Sequence, residues 1–182
     1  MKRAIIIIVL VGMFGWAIYD LVSQSKSNDI SNLSGDERIE NNVGLSIGNF
    51  APNFRLQTLK GESVQLSDYH GSRVILNFWN TWCEPCRTEM PDLEKFYQDK
   101  DVVVLAVNLV NTEPSKQKIR DFVKDLDLQF PVLLDEGNDV GLIYEIHQIP
   151  TSFMIDSNGI IQYKALGVLN YELIDQEFEK MD

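Results

Sequence analysis

The chain has 182 residues, 45% of them hydrophobic, which is enough for one packed domain with added segments. Its formal net charge of −11 argues against a nucleic-acid partner, because such affinity rests on neutralising phosphates. Otherwise the acidity describes only a soluble surface. At the N-terminus, Lys2 and Arg3 precede an uncharged apolar run over residues 4–19, which Asp20 interrupts and Leu21 and Val22 extend. A helix over 4–22 would measure about 28 Å at 1.5 Å per residue, close to a bilayer core. Trp16 and Tyr19 suit an aromatic belt, and the basic residues before the run predict a cytoplasmic N-terminus. Residues 1–22 are therefore expected to form a single-pass transmembrane signal anchor in the cell membrane, with everything after it on the outer side. Ser23-Gln24-Ser25 would also pass as a cleavage site, so a removed signal peptide is the alternative. Residues 23–44, rich in Ser, Asn and Asp, read as a flexible tether, which leaves 45–182 as the folded domain.

Within that domain Phe54, Leu56 and Thr58 alternate with Arg55 and Gln57, as in a half-buried strand. Lys60-Gly61-Glu62 reads as a turn and 63–66 as the second strand of a hairpin. Residues 74–79 are apolar on both faces, as expected of a strand with helices on both sides of its sheet. A helical pattern over 83–98 and a strand over 102–109 follow, which makes a βαβ unit with parallel strands. Pro91 falls inside that helix and should kink it. Ile119, Phe122, Val123 and Leu126 stand at helical spacing and predict a helix over 115–126. A strand over 131–134 and a short helix over 138–144 come next. Residues 151–155 and 160–165 flank the turn Ser157-Asn158-Gly159 as a hairpin, and Asn170 can cap a last helix carrying Leu173, Ile174 and Phe178. The alternation predicts an α/β sandwich, one sheet between helix layers. Trp79 reads as core, His70 and His147 as loop residues, and Asp68 and Asp135 as solvated.

Both cysteines of the chain lie in Trp82-Cys83-Glu84-Pro85-Cys86, delivered by the central strand onto the start of a helix. Free N–H groups and the macrodipole at a helix N-terminus favour negative charge. A thiol held there ionises more easily, and the thiolate is the reactive species. Cys83, first in the motif, is expected to be the nucleophile and Cys86 the resolving thiol. The spacing brings the sulfurs within bonding reach, as a Cys83–Cys86 disulfide. A purely structural disulfide closing so short a loop contributes only about 2 kcal/mol, a poor staple for this domain. A structural zinc site would need four ligands, and besides the cysteines only His70 and His147 are offered, both distant in sequence. No metal and no cofactor is therefore expected, the cysteine pair being the redox group. Pro85 is also simply well placed in a first helical turn. Glu89, three residues after Cys86, can share its helix face, an exposed surface acid being the alternative.

Trp82-Cys83-Glu84-Pro85-Cys86, Glu89, Pro91 and the later Ile149-Pro150-Thr151 before a strand together resemble membrane-anchored, thioredoxin-like thiol-disulfide oxidoreductases of the TlpA/ResA type, from Leu45 onward. The resemblance implies a thioredoxin-like three-layer sandwich with an N-terminal β-hairpin extension and an inserted helix-strand element over 112–134. It implies an active-site acid at Glu89. Many thioredoxins carry a buried Asp where this chain has Asn77, and an amide does no acid–base work near neutral pH, so Glu89 is the expected proton carrier. Pro150 is expected to be cis by its match to the family's cis-proline loop, with the Ile149 backbone beside Cys83 pairing with an extended substrate. Trp82, Glu84, Pro85, Ile149, Pro150 and Thr151 are the expected substrate contacts.

The implied activity is reduction of disulfides in a restricted set of client proteins, apocytochrome c first among them and spore-envelope maturation proteins a sister possibility. Its implied electron donor is a membrane thiol-transfer protein of the CcdA type. Three other readings stand beside it. A general disulfide-forming oxidant often has His between the cysteines, which this chain lacks. A thiol peroxidase is suggested by a peroxiredoxin-like lead-in over 48–79, but Leu76 and Asn80 occupy the places of Pro and Thr in Pro-x-x-x-Thr-x-x-Cys. A non-catalytic module, such as a metal chaperone, would bind without disulfide turnover.

Overall fold

Seven strands form one mixed sheet in the order β2-β1-β5-β4-β3-β6-β7. The computed structural model describes residues 42–181. The expected anchor at 1–22 and the tether up to residue 41 lie outside the described residues. Among the described residues no helix is long and apolar enough to cross a membrane. β1 (Arg55–Thr58) and β2 (Ser63–Gln65) form the antiparallel hairpin. Leu66 leaves it to open a 3₁₀ turn, Leu66–Tyr69. β3 (Val74–Trp79), α1 (Glu84–Asp99) and β4 (Val103–Leu109) make the parallel βαβ unit. α2 (Lys116–Asp125) leads to β5 (Val132–Asp135), which lies parallel to β4 on one side and takes β1 antiparallel on the other. The inserted strand is thus what joins the hairpin to the sheet. After α3 (Asp139–Ile143), β6 (Thr151–Ile155) pairs antiparallel with β3, β7 (Ile161–Leu166) pairs antiparallel with β6 at the sheet's other edge, and α4 (Tyr171–Phe178) closes the chain's described part.

β3 is the spine of the molecule, buried along its whole length. Its period-two alternation divides the core. Ile75 and Trp79 pack with Cys83, Cys86, Met90, Phe96, Ile174 and Phe178 on the face of α1 and α4. Val74, Leu76 and Phe78 pack with Phe54, Val140, Tyr144 and Phe153 on the face of α3. Apolar cores on both faces of a mixed sheet are the arrangement of the thioredoxin-like α/β fold.

Helix termini form where the sequence supplies caps. Ser115 Oγ accepts from Lys118 N at 3.4 Å, and Asn170 Oδ1 accepts from Leu173 N at 2.9 Å. α1 continues across Pro91, whose ring is exposed while Met90 and Leu93 beside it are buried. Asp135 is not solvated as expected. It is buried and accepts from Gly141 N at 2.8 Å. The cause is local: Asn138, the residue before α3, has a left-handed backbone and no capping side-chain bond, so Asp135 satisfies that helix end from the preceding strand.

Candidate active site

β3 ends at Trp79, and Asn80-Thr81-Trp82 carries the chain onto α1. Cys83 is the N-cap of that helix, with extended backbone, and its Sγ accepts from Cys86 N at 3.2 Å. Pro85, lacking an N–H, sits in the first turn, where none is needed. The two cysteines form a disulfide with their Cα atoms 5.2 Å apart. Their environments differ: Cys83 is 5% exposed and Cys86 not at all. Trp82, Glu84 and Pro85 are exposed around them, Trp82 at 59%.

The lead-in is held by a residue that sequence reasoning missed. Glu113 follows the 3₁₀ turn Val110–Thr112 and receives four donors. Asn80 Nδ2 (2.9 Å), Asn108 Nδ2 (2.8 Å) and Thr81 N (2.6 Å) donate to Oε1, and Thr81 Oγ1 (2.5 Å) donates to Oε2. Asn80 and Asn108 are fully buried. Glu113→Ala is therefore expected to destabilise the oxidised domain by about 2–3 kcal/mol, since buried donors without an acceptor cost about 1–3 kcal/mol each and do not add. The measurement is the urea midpoint; an unchanged midpoint would refute the latch. Glu113→Gln, which keeps one acceptor oxygen, should lose less.

Glu89 lies one helical turn beyond Cys86 on the same face of α1, fully buried rather than on the surface. Asn77 Nδ2 donates to its Oε1 at 2.7 Å, and Leu169 N donates to its Oε2 at 3.0 Å. Burial pushes the carboxyl up from 4.5 to about 7, against the opposing pull of the Leu169 N–H and the Asn77 amide. Asn77 Nδ2 also donates to Ser152 Oγ at 2.9 Å, across the β3–β6 pairing that sets Asn77 opposite Ser152. Neither Ser152 nor Leu169 was singled out in the sequence. Leu169 in particular acts through its backbone, which no side-chain pattern reveals.

The Ile149–Pro150 peptide is cis. Thr151, the next residue, pairs with Phe78, so this loop stands at the same end of β3 as the cysteines. Ile149 is half-buried against both cores, and Pro150 O accepts from Gly167 N at 2.9 Å. Thr151 is buried, and its hydroxyl donates to Gln148 O at 2.9 Å, so its side chain shapes the loop from inside. Trp79 is core, fully buried, with its ring centroid 4.7 Å from that of Phe122.

Residues 47–164 match the model of the AhpC/TSA family. The chain is 36% identical over 178 residues to the thioredoxin-like protein YneN of Bacillus subtilis, covering 96% of this chain and 94% of that one. It is 33% identical over 182 residues to the thiol-disulfide oxidoreductase ResA of Bacillus cereus, covering 98% and 94%. Among solved structures, StoA from Bacillus subtilis superposes with a TM-score of 0.62 at 34% identity, over 70% of this chain and 96% of that one. A putative thiol:disulfide interchange protein DsbE from Chlorobium tepidum gives 0.66 at 32% identity, over 75% and 98%. With a bonded cysteine pair at the start of α1 and a buried acid one turn on, the chain belongs to the AhpC/TSA family as a thiol-disulfide oxidoreductase of the ResA, StoA and DsbE type.

Proposed function

We propose that this protein reduces disulfides in a restricted set of client proteins outside the cytoplasm, apocytochrome c first among them. The observation that carries this reading is the asymmetry of the pair. Cys83 caps a helix at the edge of the surface, whereas Cys86 is wholly buried beside it with Glu89 one turn further in. A client disulfide can meet only Cys83. Its thiolate attacks one client sulfur, forming the mixed disulfide and releasing the other client sulfur as thiolate. Cys86 then loses its proton to Glu89, and its thiolate attacks Cys83 Sγ. The Cys83–Cys86 disulfide forms as the second client sulfur leaves with the bonding electrons and takes up a proton. Two electrons pass to the client, and the pair is its own redox group without a cofactor. Exposed Trp82, Glu84 and Pro85 and the backbone at Ile149 form the surface on which an extended client segment lies.

Residues 1–22 hold the domain on the outer face of the cell membrane, and a CcdA-type membrane protein returns the electrons. The reductive direction is favoured by the absence of His from the central dipeptide, Glu84-Pro85. The peroxidase reading is disfavoured by Asn80, which stands where that motif needs Thr and whose amide is engaged with Glu113 and Leu109 O. The test is a Cys86→Ala chain expressed in its own cells. The mixed disulfide at Cys83 should accumulate, and mass spectrometry of the trapped partner should identify the client. Recovery of no disulfide-linked partner would overturn the proposal.

A further inference from the structure

Asn77 occupies a position from which the chemistry of Glu89 asks for two opposite things. An ionised carboxylate needs donors around it, whereas a protonated carboxyl needs one acceptor for its O–H. In this structure both groups that bond Glu89 donate: Leu169 N at 3.0 Å and Asn77 Nδ2 at 2.7 Å. The same Nδ2 donates to Ser152 Oγ. The other end of the amide, Asn77 Oδ1, is buried and has no hydrogen-bond partner among the described residues. Such an atom is uncommon in a folded core and calls for a reason.

A half-turn of the amide about its Cβ–Cγ bond exchanges its two ends. Oδ1 then faces Glu89 and Ser152, each of which can donate a hydroxyl proton once Glu89 is protonated. One end of the amide lacks a partner in either orientation, the oxygen in one and the nitrogen in the other. What shifts the balance between the two orientations is the proton on Glu89.

We propose that Asn77 is a positioning residue that follows this proton, turning its nitrogen to the carboxylate and its oxygen to the carboxylic acid, with Ser152 joining both arrangements. The inference rests on the reading of Glu89 as the proton carrier for Cys86. In the resolving step the Cys86 S–H bond breaks and its proton moves to Glu89. Turning of Asn77 then supplies that new O–H with an acceptor. Release of the proton to the leaving client thiolate or to water turns the amide back. Aspartate at this position would set a second carboxyl against Glu89, and leucine would offer neither donor nor acceptor. From the elements packed on Glu89, the groups acting on its carboxyl are Asn77 on β3 and the Leu169 N–H before α4. Among the described residues no charged side chain is one of them. The titratable neighbours in the reduced state are the two thiols of α1.

The experiment uses the oxidised full chain in detergent, in which the bonded thiols do not titrate. The Glu89 carboxyl carbon and the Asn77 side-chain amide are followed by NMR from about pH 5 to about pH 9, a range that spans a raised carboxyl. The Asn77 amide signals should move with the midpoint of Glu89, and the nuclear Overhauser contacts of its NH₂ protons to the Ser152 methylene should be present above that midpoint and lost below it. Amide signals that stay constant through the Glu89 transition would overturn the proposal, as would contacts from the NH₂ to Ser152 that persist on both sides of it. The proton-carrier reading is tested separately by the exchange rate of Glu89→Gln, so the two can fail independently.

Discussion

Replacing Cys83 with serine is expected to abolish disulfide reduction, whereas Cys86→Ala is expected to complete one covalent step and stop. The two positions are three residues apart, but the helix gives them different work. Cys83 Sγ already receives the Cys86 N–H at the N-terminus of α1, so a thiolate there meets a backbone donor and the positive end of the dipole. A serine hydroxyl in that place stays protonated at neutral pH and has no base beside it to activate it. Loss of a covalent nucleophile should lower turnover about 10⁴-fold or more. Cys86 cannot replace it, because it is fully buried and reaches only its partner. With Cys86→Ala the first attack proceeds, one client thiol is released per protein, and the mixed disulfide persists. Insulin reduction read by turbidity, with intact mass of the quenched protein, separates the cases. Wild-type turnover by either variant would remove the assigned roles.

The elements legible in the sequence were those written locally. β3 is legible as six consecutive positions, five of them apolar, the spacing of Ile119, Phe122 and Val123 marks α2, and Asn170 marks the start of α4 as its cap. The burial of Glu89 was legible in retrospect from its neighbours. Cys86, Met90, Leu93 and Phe96 form the buried stripe of α1, and a residue three after Cys86 travels inward with it. What the sequence could not carry were bonds closed by the fold. Leu169 N reaches Glu89 across 80 residues, and Glu113 reaches Thr81 across 32. Asp135 looked like a surface acid because the uncapped end of α3 that engages it exists only once α3 turns back on β5. Thr151 reads as a contact residue from its place in the motif, yet its hydroxyl is turned into its own loop.

Glu89→Gln should produce a protein that is slower and, above neutral pH, more stable. The folded carboxyl titrates at about 7 and the unfolded one near 4.5. Between these values the native state holds a proton that the unfolded chain has released. Stability therefore falls as pH rises through the window and stays at the lower level above it. The gap corresponds to about 3 kcal/mol. Glutamine carries no charge and escapes this decline. Its stability advantage should be small near pH 4, grow through the window, and level off above pH 7. Retaining both hydrogen bonds requires its oxygen to accept from Leu169 N and its NH₂ to meet an acceptor on Asn77. Only the turned amide supplies that acceptor, so the variant mimics the protonated acid. The same change removes the acceptor for the Cys86 proton. Resolution of the mixed disulfide at neutral pH should slow by about 10²–10⁴-fold, the usual span for a lost acid–base group. Urea unfolding across the window and single-turnover release of the second client thiol measure the two effects. A stability gain independent of pH would remove the buried carboxyl as its cause, and an unchanged release rate would remove Glu89 from the proton path. If both appear as stated, the strain of holding an acid in the core is what the domain sustains in order to turn over.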